Sequence, residues 1–154
     1  MDRRDFLKTL AVTGAVMTVQ RSEAMDILAQ KLTNAGGGKV DLVAVMGGEP
    51  EAMFRRAITE MGGMKQFIKP GQKVVVKPNI GWDKVPELAG NTNPKLVAEI
   101  VKQCLAAGAK EVTVFDHTCD DWRKCYKNSG IEDAAKAAKA KVVPANEESY
   151  YREV

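Results

Sequence analysis

The chain has 154 residues, 45% hydrophobic and 28% charged, a balance that suits one globular domain and excludes a mainly disordered chain. Lys and Arg number 23 against 20 Asp and Glu, a net charge of +3, and only 6% of residues are aromatic. Such a composition offers neither the basic field nor the stacking rings that nucleic acid requires, so no nucleic-acid partner is expected.

The N-terminal segment Asp2-Arg3-Arg4-Asp5-Phe6-Leu7-Lys8 resembles the consensus of twin-arginine export signals, with Asp2 where Ser or Thr is commoner. Arg3, Arg4, Phe6, Leu7 and Lys8 carry the resemblance. Thr9–Val19 follows as a weakly apolar run interrupted by Gly14. It is too short for a hydrocarbon layer of about 30 Å, which takes roughly 20 residues, so it reads as a signal core and not as a stable transmembrane span. Ser22-Glu23-Ala24 places small residues where a leader peptidase wants them, and cleavage is expected after Ala24. The twin-arginine translocase is therefore an expected partner, and the expected location is periplasmic or extracellular. That route carries folded proteins, often with cofactors inserted.

Residues 1–24 thus form the signal, and 25–39 form a helix (Met25–Asn34) with a Gly-rich linker. Gly36-Gly37-Gly38-Lys39 lacks the preceding strand of a phosphate-binding loop. Residues 40–154 read as an α/β domain. Val40–Met46 has the composition of a strand closed by Gly47-Gly48. Glu51–Met61 carries Phe54, Ala57, Ile58 and Met61 at helical spacing. Lys73–Lys77 holds three consecutive valines, as expected of a strand buried on both faces.

Asn93-Pro94 opens the next helix as cap and first turn, with Val97, Ile100, Val101, Cys104 and Leu105 as its apolar stripe and Gly108 as its stop. Glu111–Phe115 predicts a strand, Asp120–Tyr126 and Ile131–Ala140 predict helices, and Lys141–Pro144 predicts a last strand. The resulting β-α-β-α-β-α-β order predicts a Rossmann-like parallel sheet flanked by helices.

Lys69-Pro70-Gly71, Val74–Asn79, Asn91–Pro94, Ala107–Val112, Phe115–Cys119 and Ser129-Gly130-Ile131 occur in that order. Together they resemble the family called domain of unknown function 362, in its twin-arginine-exported branch. The resemblance covers roughly residues 40–147. It implies that the 154 residues form the N-terminal part of a longer domain, with an exposed sheet edge and an uncovered apolar face. Some members of the family carry an iron–sulfur segment, but this chain has no C-x-x-C-x-x-C run, so no such cluster is expected within it.

Ligands of parallel α/β sheets bind beyond the carboxyl ends of the strands. Lys77 and Asn79, then Asn93, then Asp116 and His117 fall at such positions and are the expected ligand-binding residues. Lys77 and the helix N-terminus would hold an anion, the two Asn would orient it, and Asp116 with His117 would offer proton transfer or metal ligation. His117 is the sole histidine. With Cys119 and Cys125 it forms an H-x-C-x5-C set that Asp116 or Asp121 could complete around a metal. In an oxidising compartment Cys119 and Cys125 could instead pair as a disulfide, provided the helix that carries Cys125 starts late, near Trp122. Cys104 reads as core packing, as do Trp122 and Tyr126.

The sequence therefore describes an exported α/β domain that binds a small anionic ligand or metal cofactor, with a redox association. The alternative is a non-catalytic module that assembles with a redox or cell-envelope partner.

Overall fold

The computed structural model describes residues 40–152. The export signal, the helix expected over Met25–Asn34 and the Gly-rich linker lie outside them. Seven elements follow one another: α1 (Pro50–Glu60), β1 (Lys73–Val76), α2 (Pro94–Ala106), β2 (Glu111–Val114), α3 (Trp122–Asn128), α4 (Ile131–Ala137) and β3 (Lys141–Val142). The three strands are parallel and lie in chain order, β1-β2-β3. The fold is an α/β arrangement of a parallel sheet flanked by helices.

Register explains which face is buried. Val74 pairs with Val112, Val76 with Val114 and Val114 with Val142, which puts these five valines on one face. Crossovers between parallel strands follow one hand, right-handed, as a rule, so two of them in the same direction along the sheet deliver their helices to the same side. Accordingly α2 packs on β2, α4 on β3, and α2 against α4. Val97, Val101 and Cys104 of α2 meet Val112 and Val114 in the core, with Ile131 and Ala135 of α4. Each fully buried valine there contributes about 1.5–3 kcal/mol.

The helices α3 and α4 have seven residues each, too few to hold alone in water. Burial of Cys125, Tyr126, Ile131 and Ala135 stabilises them. The helix α2 is better defined locally. Pro94 occupies its first turn, and the Asn93 side chain accepts a hydrogen bond from Lys95 N, a cap worth about 1 kcal/mol. Gly108 ends it at φ +105°, where an added Cβ would stand 3.2 Å from Pro70 Cα. That close approach lets Gly71 N donate to Gly108 O at 2.8 Å and seats the Lys69–Gly71 turn on the end of α2.

Two expectations need correction. Val40–Met46 is not a strand: the segment is irregular, and Leu42 and Met46 are among its exposed side chains. Strand composition alone does not make a strand, because the backbone groups need a ladder partner. Among the described residues none pairs with it. Among the described residues the sheet therefore has three strands instead of four. Nor is β1 buried on both faces, for Val75 is 60% exposed. The helices α2 and α4 pack on the other face, so Lys73, Val75, Glu111, Thr113 and Lys141 share the opposite one, which is mixed in polarity, with Val75 its one apolar member among the strands.

Candidate functional site

Parallel strands bring their carboxyl ends to one edge, and there the long loop after β1 meets the turn after β2. The loop of residues 77–93 is joined to the 116–121 turn by a row of hydrogen bonds. Lys77 Nζ pairs with Asp116 Oδ1. Ile80 N donates to Asp116 Oδ2 at 2.7 Å, Cys119 N and Asp120 N donate to Gly81 O at 2.9 and 3.1 Å, and Asp83 N donates to Asp120 Oδ2 at 3.0 Å. Asn128 Nδ2 of α3 reaches Asp83 Oδ1 at 2.6 Å.

The Lys77–Asp116 pair is asymmetric. The Asp116 side chain is 5% exposed and that of Lys77 is 60% exposed. A buried carboxylate thus anchors an ammonium whose remaining N–H donors face solvent. Tyr126 supports Asp116 from beneath: its hydroxyl accepts from Asp116 N at 2.7 Å and faces the carbonyl oxygens of Asp116 and Val143 at 2.9 and 3.1 Å.

Asn79 lies at the same edge, but its side chain is occupied by the loop. Its Oδ1 accepts from Gly81 N at 2.9 Å, and its Nδ2 donates to Gly90 O at 3.1 Å. Asn79 and Thr92 bond to each other twice, Asn79 N to Thr92 Oγ1 and Thr92 N to Asn79 O, which brings Asn93 beside them. Asn91 closes the loop through Trp82 and Lys84. His117 is directed elsewhere. Its Nδ1 is 2.7 Å from Ala145 O, with Tyr151 Oη also on that carbonyl at 2.8 Å. A carbonyl can only accept, so Nδ1 carries the proton and Nε2 is the open nitrogen.

The structure therefore brings Lys77, Asn79, Asn93 and Asp116 to one edge and turns the His117 ring to the segment after β3. It does not gather His117, Cys119 and Cys125 as ligands: no cluster of three or more His, Cys, Asp or Glu among the described residues is placed to hold a metal. Nδ1 of His117 is held by Ala145 O, and Cys125 is buried beside Gly81 O at 3.6 Å.

Sequence reasoning missed the double role of Tyr126. It does pack edge-on against Trp122, at 6.1 Å between centroids. The missed signal was its hydroxyl, since a tyrosine buried against a core helix must find polar partners. A separate pocket of about 670 Å³ opens between α1, α2 and α4, beside Arg55, Lys95 and Glu99, and touches none of these edge residues.

Burial pushes the thiols of Cys104 and Cys125 above their usual 9.0, and the Tyr126 phenol above its usual 10.0. The fold thus holds protons that the unfolded chain releases first. Their contribution is complete below about pH 9 and is lost as pH rises through the raised values. The urea midpoint is expected to fall as pH rises from about 9 to about 11. A flat midpoint over that range would contradict the assignment.

An α/β domain whose adjacent parallel strands end in two joined loops, behind a twin-arginine leader, is the class defined so far. The sequence model of the domain of unknown function family DUF362 matches residues 74–154, more than half of the chain, and the chain belongs to that family. The twin-arginine translocation pathway signal sequence matches residues 1–19, so the protein is handled by that translocase and exported. No helix among the described residues is long and apolar enough to cross a membrane. A thylakoid-associated protein of Synechocystis sp., sll1697, is 36% identical over 59 residues, which span 38% of this chain and 18% of that protein. The chain thus matches less than a fifth of that relative's length. No solved structure matches.

Proposed function

We propose that this exported DUF362 protein binds a small anionic ligand, carrying phosphate or carboxylate, at the carboxyl edge of its sheet, with Lys77 as the cationic anchor. The observation that carries this reading is the Lys77–Asp116 pair, in which a buried carboxylate holds a solvent-facing ammonium at the ends of adjacent parallel strands. Such prior positioning reduces the ordering cost of binding. Asp116 is a positioning residue here, and Asn79 and Asn93 shape the loop beneath the ligand. A metal or redox cofactor belongs to the same reading only if His117 Nε2 and Cys119 take up ligand positions that they do not now share.

A second reading is supported by Trp82, Val85 and Leu88, three large apolar side chains exposed on the loop after β1. Such a group suits assembly with a partner protein, and in that case the domain is a non-catalytic module.

The test is calorimetric titration of the full-length exported protein with inorganic phosphate and with citrate, beside metal analysis of the same sample. Lys77→Met leaves Asp116 buried without its counter-charge, so the informative variant is Lys77→Met with Asp116→Asn, which keeps the position neutral. Binding to the wild type and at least a tenfold loss in the double variant are expected, with Asn93→Ala losing only about 1 kcal/mol of stability as a missing cap. Equal binding by wild type and double variant would defeat the ligand reading. A stoichiometric partner retained through purification, without ligand, would favour the second.

A further inference from the structure

Cys119 and Cys125 both meet one residue, Gly81. The Cys119 amide and the Cys125 thiol both donate to the Gly81 carbonyl, at 2.9 and 3.6 Å. The Cys119 sulfur stands 3.6 Å from where a Cβ on Gly81 would be, so the missing side chain leaves room for it. The helix α3 starts at Trp122, after an Asp121 cap, and therefore does not include Cys119. A continuous helix from Cys119 to Cys125 would separate their Cα atoms by about 9 Å, beyond the roughly 7 Å that a disulfide tolerates. The turn before α3 removes that obstacle. Cys104 sits in the core among Val97, Val101 and Val112.

We propose that Cys119 and Cys125 are a redox-active dithiol that closes across Gly81 into an intramolecular disulfide after export. Both thiols are free in the structure, Cys119 exposed and Cys125 buried. Burial raises the Cys125 thiol, so Cys119 is the sulfur that an incoming oxidant reaches first. The oxidant is a protein or small-molecule disulfide, the class that maintains thiols oxidised outside the cytoplasm.

The Cys119 thiolate attacks one sulfur of that disulfide, whose S–S bond breaks to release one thiolate and leave a mixed disulfide. The Cys125 thiolate then attacks the Cys119 sulfur, forms the internal bond and expels the second thiolate. The two cysteine protons end on the two released thiols, and two electrons pass to the oxidant. Closure takes the Cys125 S–H donor from the Gly81 carbonyl and shifts the 118–120 turn. Gly81 follows Ile80, whose N–H holds Asp116, so oxidation reaches the carboxyl edge through two adjacent peptide units.

The experiment treats the full-length protein under native conditions with glutathione disulfide, then alkylates it and measures intact mass and peptide maps. In wild type, closure lowers the mass by about 2 Da, links Cys119 to Cys125 and leaves only Cys104 to be alkylated. Cys125→Ala is expected to stop at a glutathione adduct on Cys119. Cys119→Ser, a change at an exposed position, is expected to remain reduced at Cys125. A wild-type protein that stops at the same adduct, forms only intermolecular dimers, or pairs Cys104 would overturn the proposal.

Discussion

Replacing Arg3 and Arg4 together by lysine is expected to leave the protein in the cytoplasm, with periplasmic accumulation reduced by an order of magnitude or more. Charge is unchanged by the substitution, so charge is not what the experiment removes. Arginine presents a planar fork of five N–H donors, whereas lysine offers a compact ammonium on a flexible stem. A receptor that reads the paired guanidinium geometry loses it at both positions at once. Cell fractionation of wild type and double variant, with total expression matched, measures the effect. Normal accumulation of the double variant outside the cytoplasm would show that Arg3 and Arg4 are not the export determinant.

Within the folded domain, Asp116→Ala is expected to cost about 3 kcal/mol. The carboxylate is buried and accepts Ile80 N at 2.7 Å while holding Lys77. Its removal orphans a buried backbone N–H, for Ile80 is fully buried, and breaks a charge-assisted bond. Lys77, already facing water, loses little. Asp116→Asn retains an oxygen for the Ile80 N–H and is expected to recover most of the loss. Urea denaturation of the three proteins decides the point: an alanine variant within about 0.5 kcal/mol of wild type would mean that water replaces the carboxylate without cost.

Much of the sheet could be anticipated from residue order. Val74–Val76 and Val112–Val114 are β-branched or apolar runs bounded by turns, and Asn93-Pro94 with Gly108 brackets a helix with unambiguous ends. Pattern gave less reliable guidance at Val40–Met46 and Val75. A strand exists through its neighbour, and neither the ladder partner nor the number of covered faces is written in a local window.

The edge location of Lys77 and Asp116 followed from parallel topology, since both stand one or two residues past a strand end. Their asymmetry did not, because burial of Asp116 depends on Tyr126 and Ile80, which come from other segments. Asn79 illustrates the converse limit. The residue was visible as a polar loop position, but its bonds to Gly81 and Gly90 arise from the path of the 77–93 loop.

The spatial order of the strands matches their order in the chain. Each strand finds its neighbour already synthesised, and no later segment must be inserted between earlier ones. Each paired strand lies one crossover away in the chain, Lys73 opposite Glu111 and Thr113 opposite Lys141, which keeps the contact order below that of an inserted strand order. β1, α2 and β2 can assemble while the residues after them are still being made, since domains fold as units during synthesis. For a chain sent to a translocase that accepts folded cargo, this has a kinetic meaning: the three described strands can pair in the cytoplasm before the signal is read. An inserted strand order would hold the unpaired sheet edge exposed for longer, at the stage when aggregation competes with export.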